Sequence, residues 1–280
     1  MIILKIRGGL GNQMFQYAAG RAVSDKLGLP LYLDLSFYQK RNKCTKRVFE
    51  LDKFNTIYSK KIQTPILGKL LRFSSKLTHR RAVSFSDIKK FTKENYKFVY
   101  LDEYWQSERY FIRINEKIRK HFTPKKKTSK KNSKIIELIH KSNSISVHIR
   151  RGDYISDKKT NDYHGVCSLD YYVQAINYIK NKLGSIELFF FSDDIRWVKS
   201  NLEFSDKSYY IDHNIGINSY WDLILMSKCK HNIIANSTFS WWGAWLNGNK
   251  EKIIIAPESW YSNRKKNCKT DIIPEEWIKL

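Results

Sequence analysis

Charged and polar side chains gather at the end of an apolar stretch, residues 144–154, which reads SISVHIRRGDY. Apolar residues alternate there with a period of two, which predicts a β-strand with His148 and Arg150 on one face, within reach of one ligand. Gly152 permits a sharp turn, and Asp153 follows where the strand ends, which in open α/β sheets is where ligands bind. We therefore interpret the stretch as a strand that ends in a site; the alternative is a surface cluster of ion pairs.

A second polar cluster stands at the start of a predicted helix. Residues 236–246 read NSTFSWWGAWL, so small polar residues precede an aromatic and apolar body. The hydroxyls of Ser237 and Thr238, together with the free N–H groups of a helix start, can hold a phosphate. Ordinary capping of the helix by the same hydroxyls is the alternative.

An acidic pair follows another predicted strand. Asp193 and Asp194 come after an apolar run at residues 186–191, which is typical of a buried parallel strand, and open a predicted helix at 195–202. Carboxylates at this position either cap the helix and favour its dipole, or bond the base or ribose of a nucleotide. A third aspartate, Asp222, lies in a helix predicted over residues 220–228.

The N-terminal residues predict a strand at 2–6, a glycine-rich turn at 8–11, and a helix that Asn12 caps and Gly28 ends. Such a turn lets the backbone approach an anion at a helix start, although its spacing fits neither the dinucleotide-binding pattern nor the P-loop. The alternative is that the glycines serve only a tight connection.

Strands and helices alternate on both sides of a lysine-rich segment, residues 120–134, which offers almost nothing to bury and is interpreted as a linker. The pattern predicts an α/β fold of two Rossmann-type domains that face each other across a cleft. Residues 1–130 would form the first domain and residues 131–280 the second, with the C-terminal tail able to pack back on the first.

The composition is that of a basic globular protein. Lys and Arg number 51 against 27 Asp and Glu, giving a net charge of +24, so the surface attracts phosphates, anionic lipid or nucleic acid. The four cysteines are widely separated and show no zinc-like spacing, which favours reduced thiols and a cytoplasmic location. No run is apolar enough for a signal peptide or a membrane span, so any membrane contact is expected to be peripheral.

Four motifs together resemble a known enzyme family: GGLGNQMFQYAAGRA at residues 8–22, HIRRGD at 148–153, FFSDD at 190–194 and ANSTFSWWGAWL at 235–246. Their order and separations are similar to those of the bacterial α-1,2-fucosyltransferases of glycosyltransferase family 11. The resemblance implies a GT-B fold, GDP-β-L-fucose as donor, galactose as the usual acceptor, inversion to an α-1,2 linkage and no metal or other cofactor.

The resemblance also implies roles for individual residues. Arg150, the first arginine of the H-x-R-R-x-D motif, would bind the β-phosphate and act in catalysis. His148 of the same motif would lie by the guanine. Asp222, on the helix before the last motif, would be a second guanine partner. Asp193 is a further candidate for a nucleotide contact, on the ground of its position after a strand rather than of the resemblance.

The remaining roles concern the phosphates and the catalytic base. Ser237, Thr238 and nearby N–H groups would hold the diphosphate, and Asn12 would reach the donor phosphates or the fucose. Inversion needs a base for the acceptor hydroxyl; Asp153 is the nearest candidate, and two alternatives remain in the following loop, Asp157 and His164. No D-x-D occurs in the sequence, so a metal clamp of that type has no candidate.

The acceptor and the oligomeric state are left open by the sequence. Lipid-linked O-antigen intermediates at the inner face of the cytoplasmic membrane and free oligosaccharides both suit a basic enzyme of this family. Two other functions compete with fucosyl transfer: a glycosyltransferase that uses another nucleotide sugar, and a nucleic-acid-binding protein. The latter would need basic residues concentrated on one face, whereas most lysines here lie in irregular segments.

Overall fold

The computed structural model describes residues 1–39, 47–63, 92, 98–268 and 270–280. The chain divides into two compact units, Met1–Lys127 and Thr128–Leu280. The sequence predicts this boundary between residues 130 and 131, three positions later. Each unit is built on a parallel sheet and contains helices: they lie between strands throughout the second unit, and one joins the first two strands of the first unit. The α/β class predicted from the alternating pattern is therefore confirmed.

The first unit contains a four-stranded parallel sheet of order β3-β2-β1-β4. Its strands are β1 (Ile2–Lys5), β2 (Leu31–Asp34), β3 (Lys60–Ile62) and β4 (Val99–Leu101). Its helices among the described residues are α1 (Leu10–Leu27) and α2 (Asn115–His121), with short 3-10 turns at Ser36–Gln39, Leu51–Lys53, Glu108–Tyr110 and Ile112–Ile114. The sequence did not predict β3 or β4, because strands this short carry too few residues for a period-two pattern.

Helix α1 ends as the sequence predicts but begins differently. Gly28 adopts the left-handed conformation, with φ of 63°, and its N–H bonds the carbonyl of Asp25 at 3.3 Å, which closes the helix. The N-cap, however, is Gly9 and makes no side-chain cap, whereas Asn12 lies inside the first turn. The expectation that Asn12 caps the helix is wrong, so its carboxamide is available for another contact.

The second unit contains a six-stranded sheet of order β10-β9-β8-β5-β6-β7, with all its strand pairs parallel. The strands are β5 (Ser144–Ile149), β6 (Glu187–Ser192), β7 (Lys207–Ile211), β8 (His231–Ile233), β9 (Ile254–Ala256) and β10 (Ile278–Lys279). The strand predicted at the H-x-R-R-x-D motif is β5, and it lies in the middle of the sheet.

Eight helices accompany this sheet among the described residues: α3 (Lys130–Lys141), α4 (Gly152–Ser156), α5 (Lys158–His164), α6 (Leu169–Leu183), α7 (Ile195–Asn201), α8 (Tyr220–Lys228), α9 (Thr238–Trp245) and α10 (Arg264–Asn267). A 3-10 turn, Gly216–Asn218, precedes α8. No helix in the described parts of either unit combines the length and apolar character that crossing a bilayer requires.

The two faces of β5 are both buried, and their side chains differ as the alternation predicts. Ile145, Val147 and Ile149 belong to an apolar core formed with α6 and α7. On the other face, the Ser146 hydroxyl accepts a hydrogen bond of 2.7 Å from Asn232, and the His148 ring packs against a residue of α9. The polar face of β5 thus lies under helices, and its polar groups require partners there.

Helices reach into both ends of the segment interpreted as a linker, and its middle, residues 122–129, lies outside helices and contains the boundary between the two units. Its first residues end α2, with Phe122 buried, and its last residues begin α3, where Asn132 is fully buried. Helix α3 therefore starts five positions before the predicted short helix at 135–140, and Ser129 caps it by accepting from the N–H of Asn132 at 3.2 Å. The lysines concealed this element because they line its exposed side.

The C-terminal tail ends in the second unit's own sheet. Strand β10 pairs with β9 in parallel register, Ile278 beside Ile255, and the ring of Trp277 lies 5.4 Å from that of Trp241 in α9. The sequence analysis allowed the tail to pack on the first domain; in the structure its strand β10 pairs with β9.

The contact between α8 and α9 depends on Gly243. A Cβ at this position would lie 2.9 Å from the Cβ of Met226, which cannot move without shifting α8. We expect Gly243→Ala to destabilise the protein, because overpacking costs about 1–3 kcal/mol and exceeds the gain of about 1 kcal/mol in helix propensity. Thermal unfolding should show a melting temperature lower by a few degrees.

The matched control is Gly248→Ala, where a Cβ would meet no described heavy atom within 4 Å. Equal melting temperatures for the two variants would contradict the packing argument.

Candidate active site

The strand order brings the predicted site residues of the second unit to one edge. Strands β8, β5 and β6 are parallel neighbours, with Val147 beside Ile233 and Ile149 beside Ser192. Arg150 follows the end of β5 in this register. Residue 193 follows the end of β6, and the segment that opens α9 follows β8. The carboxyl edge of the sheet therefore gathers three sequence motifs that are up to about 90 residues apart in the chain.

Arg150 and Asp193 form the central ion pair of this edge. A guanidinium nitrogen of Arg150 lies 2.8 Å from Asp193 Oδ2, and the Asp193 Oδ1 accepts a hydrogen bond of 2.9 Å from the backbone N–H of Arg151. Both side chains of the pair retain about a quarter of their exposure, 22% and 25%. The carboxylate thus orients a cation that still faces solvent and can meet an anion.

Gly152 allows this pair to form. A Cβ there would lie 2.5 Å from Asp193 Oδ2, closer than real contacts permit. The sequence predicted a sharp turn at Gly152, but the structure begins α4 at this residue, so the glycine is needed for the close approach of the carboxylate.

The neighbouring residues Arg151 and Asp194 have structural contacts. The guanidinium of Arg151 lies 3.5 Å from the centre of the Trp197 ring, a cation–π arrangement. Asp194 caps α7 by accepting from the N–H of Trp197 at 3.2 Å. The capping alternative therefore applies to Asp194, whereas Asp193 contacts Arg150; a direct bond from Asp193 to a nucleotide stays a prediction.

His148 is buried beside the start of α9. Its ring centre lies 5.9 Å from that of Phe239, and burial lowers the pKa of the imidazole to about 3, with Asp193 opposing the shift and Arg150 adding to it. The ring is consequently neutral near pH 7. Among the described residues, none offers a hydrogen bond to His148 Nδ1. A buried polar atom without a partner costs about 1–3 kcal/mol, which a ligand atom could remove.

The start of α9 carries the second motif. Ser237 is the N-cap, and its hydroxyl accepts a long hydrogen bond of 3.4 Å from the N–H of Phe239, while Thr238 is half-buried. The capping alternative is thus observed, and it leaves the first N–H groups of an eight-residue helix at the same edge as Arg150.

Two contacts tie the arginine segment to this helix start. The Arg150 guanidinium lies over the ring of Tyr154, 5.5 Å from the ring centre. The Tyr154 hydroxyl donates a hydrogen bond of 3.1 Å to the carbonyl of Asn236. The Asn236 carboxamide donates to the carbonyl of His164 at 2.8 Å. Asn236 therefore holds together the loop after α5 and the entry to α9.

A cavity of about 360 Å³ adjoins Asn236 within the second unit. Its lining includes His164, Cys167, Tyr171 and Tyr261. The imidazole of His164 stacks on Tyr154 with ring centres 4.9 Å apart. Aromatic rings mixed with hydroxyls and amides are typical of surfaces that contact sugars.

The three candidate bases stand differently in the structure. Asp153 belongs to α4, but its side chain lies outside the described residues. Asp157 caps α5 by accepting from the N–H of Lys159 at 3.0 Å. His164 faces the cavity described above. Asp157 is therefore engaged in capping, and the assignment of the base stays a prediction.

Asp222 lies in the first turn of α8 and is held by a residue of the preceding loop. Asn214 Nδ2 donates to Asp222 Oδ1 at 2.8 Å. Burial raises the pKa of the Asp222 carboxyl to about 7, and the bond from Asn214 lowers it. A carboxylate at this pKa changes its charge near neutral pH, so any ligand that binds it does so with a dependence on pH.

Asn12 lies in the first unit, at the turn between β1 and α1. Gly8 has a φ of 81°, and a Cβ there would approach Asn12 Nδ2 to 2.9 Å, so the turn requires glycine. The Asn12 Oδ1 accepts a hydrogen bond of 2.7 Å from Gln106. Its role toward a donor substrate stays a prediction.

No group of three or more His, Cys, Asp or Glu side chains that could hold a metal occurs in the described residues.

Sequence reasoning missed the residues that hold the predicted ones in place, above all Asn236, Asn214 and Asn132. Asn236 was included in a motif but not given a role, and Asn214 and Asn132 lie in segments with no periodicity. Amides of this kind acquire their role only when distant segments meet, so the sequence carries no local signal for them.

The whole chain is similar to known glycosyltransferases. The family model "Glycosyl transferase family 11" matches residues 1–280. An α-1,2-colitosyltransferase of Escherichia coli is 37% identical, covering 100% of this chain and 99% of that protein. The O-antigen biosynthesis glycosyltransferase WbnK of Escherichia coli is 33% identical, covering 98% and 99%.

Among solved structures, POFUT1 in complex with GDP superposes with a TM-score of 0.51 at 14% identity, covering 90% of this chain and 97% of that one. At this identity the likeness concerns the fold alone. It confirms the prediction of a GT-B-like fold.

Proposed function

The chain belongs to glycosyltransferase family 11, and from this premise we propose that it is an inverting α-1,2-fucosyltransferase that moves L-fucose from GDP-β-L-fucose to the 2-hydroxyl of a terminal galactose. Glycosyl transfer follows from the family; the sugar, the linkage and the acceptor are the proposal. The observation that carries it is the shared edge, where the Arg150 guanidinium and the start of α9 lie at the ends of neighbouring strands.

The chemistry explains why this edge suits the reaction. The acceptor oxygen attacks C1 of the sugar, the bond from C1 to the β-phosphate oxygen breaks, and its electron pair stays on GDP. The negative charge that builds on the leaving diphosphate needs donors aimed at it. Arg150 supplies a fixed positive charge, and Ser237, Thr238 and the N–H groups of α9 supply neutral donors.

No divalent metal is needed in this proposal. The guanidinium and the helix start take the place that a metal clamp occupies in enzymes with a D-x-D motif, which this sequence lacks. Asn12 of the first unit would add a further contact to the donor phosphates or the fucose.

We assign recognition of the guanine ring to Asp222 and His148. An ionised Asp222 accepts from the N1–H and N2–H groups of guanine, which adenine does not present as a donor pair. The neutral His148, with Nδ1 unpartnered among the described residues, supports a contact to the same base. Asp193 is assigned chiefly to the orientation of Arg150.

The acceptor and its location are proposed from charge and relatives together. One relative is named for O-antigen biosynthesis, and a net charge of +24 favours anionic surfaces. We therefore expect a galactose-containing glycan at the inner face of the cytoplasmic membrane, with the protein cytoplasmic and its contact with anionic lipid peripheral.

Colitosyl transfer is the second candidate function, because the relative at 37% identity carries that name. Nucleic-acid binding has no comparable support among the relatives, which are glycosyltransferases.

The first prediction about activity concerns Arg150. Arg150→Ala should lower the rate of sugar transfer by about a hundred- to a thousandfold, because it removes a preorganised donor to the leaving group. Product formation from GDP-fucose and a galactoside measures this. Arg196→Ala, an exposed position on α7, is the matched control and should keep wild-type activity. Activity of Arg150→Ala close to wild type would remove Arg150 from the mechanism.

The second prediction separates the donors. GDP should raise the melting temperature more than UDP or ADP at equal concentration, since only the nucleotide that fits stabilises the folded state.

Colitose is L-fucose without its 3-hydroxyl. A site that hydrogen-bonds this hydroxyl should prefer GDP-fucose to GDP-colitose by more than about a hundredfold in kcat/KM. A preference for GDP-colitose would assign the second function instead.

The third prediction identifies the base. Asp153→Asn, Asp157→Asn and His164→Gln should be compared by kcat and by GDP affinity. The variant that lacks the base should lose about 10²–10⁴-fold in kcat while binding GDP as tightly as wild type. Since Asp157 caps α5, Asp157→Asn should retain activity and serves as the internal control. Full activity in all three variants would refute a side-chain base at this position.

A further inference from the structure

A chain of buried amides leads to Asp222. His213 Nε2 lies 2.7 Å from Asn132 Oδ1, the Asn132 and Asn214 amides bond each other at 3.0 Å in both directions, and Asn214 Nδ2 reaches Asp222 Oδ1 at 2.8 Å. Asn132 is fully buried in α3, and Asn214 is 8% exposed in the loop after β7. We name these three residues, His213, Asn132 and Asn214, the amide relay.

The direction of each bond in the relay is fixed. A carboxamide oxygen can only accept, so His213 must donate to Asn132 Oδ1. Asn214 Nδ2 donates one hydrogen bond to Asn132 Oδ1 and a second to Asp222 Oδ1. Asp222 therefore meets a donor from the protein and is favoured as an acceptor.

We propose that Asn214, locked in place by Asn132, is a positioning residue that holds Asp222 turned as an acceptor, and thereby sets the preference of the site for guanine. The proposal rests on the proposed function, in which Asp222 contacts the base. Guanine offers two adjacent donors, N1–H and N2–H; hypoxanthine offers one, and adenine offers an acceptor at N1. A protonated or rotated carboxyl would lose this discrimination.

Because Asp222 is buried, the hydrogen bond that Asn214 donates to it affects its pKa. Burial disfavours its charge and raises its pKa to about 7, and the bond from Asn214 is the cause that opposes this. Helix α9, packed against α8, carries no ionisable residue. From α3, Lys131 acts on His213, whose pKa burial and Lys131 lower while Asp212 raises it. The neutral form of His213 is therefore favoured.

The position of the relay argues for a role beyond holding the fold. Strand β7 is next to β6 at the carboxyl edge, so the loop with His213 and Asn214 lies along the same edge as Arg150. Neighbouring strands are about 4.8 Å apart, so the end of β7 lies two strand spacings, roughly 10 Å, from the end of β5. This suits a nucleoside diphosphate with its phosphates at Arg150 and its base near Asp222.

The test is the affinity for GDP, IDP and inorganic pyrophosphate between about pH 5.5 and 8.5, measured by calorimetry. In wild type, GDP affinity should fall as the pH drops below about 7, because the carboxyl must lose its proton to accept from guanine, and binding should release protons. Asn214→Ala should shift this midpoint to higher pH and reduce GDP affinity about tenfold near pH 7, with pyrophosphate affinity unchanged. Its preference for GDP over IDP should shrink.

Further variants separate the causes. Asn132→Ala should act in the same direction as Asn214→Ala. Asn214→Asp, which keeps the size of the side chain, should raise the midpoint further through repulsion between carboxylates. His213→Gln keeps a donor to Asn132 and should leave the midpoint unchanged. Asn201→Ala, an exposed amide at the end of α7, is the matched control and should behave as wild type.

The outcomes distinguish the inference from its premise. If Asn214→Ala and Asn214→Asp weaken GDP binding equally at all pH values, with the midpoint unmoved, the relay is only structural and the inference is overturned. If Asp222→Asn itself keeps the GDP affinity, the preference over IDP and the dependence on pH, the assignment of Asp222 to guanine fails instead.

Discussion

The parallel pairing of β5 with β6 and with β8 determines which side chains can meet in this protein. Because the three strands run side by side in one register, the residues that follow them are brought to one edge, although the chain separates them widely. Arg150 then pairs with Asp193 on one side, and Tyr154, which lies beside Arg150, bonds the entry to α9 on the other. A shift of one residue in β5 would turn His148 into the apolar core and Ile149 toward α9, so the buried faces of the strand fix the register.

Arg150 is paired at this edge, yet its guanidinium is still accessible to a ligand. Asp193 neutralises part of the Arg150 charge, but the guanidinium stays partly exposed, and the close approach of the carboxylate requires a glycine at residue 152. The neutral His148 adds no charge beside it. Further along the edge, burial keeps Asp222 near the point where it changes its protonation state. The arrangement suits a ligand with an anionic end and a hydrogen-bonding end, which is the character of a nucleoside diphosphate.

The order of helices and strands was largely readable from the sequence. Residues 220–228 were predicted as a helix and are α8, because apolar residues and helix formers fill the segment. The lysine-rich segment concealed the first turn of α3, since one buried Asn132 among exposed lysines leaves no apolar periodicity there. Strand β10 was missed for a related reason: two residues can join a sheet edge by backbone bonds alone.

The sequence by itself determined the residue types of the site and the strand that presents them, because alternation and glycine position are local properties. His148, Arg150, Asp193, Ser237 and Asp222 could all be selected from local pattern together with family resemblance. Only the tertiary structure decided their partners. Asp193 orients Arg150, Asn214 holds Asp222, and Asn236 joins two loops, because hydrogen bonds between distant segments depend on strand order, which no local pattern records.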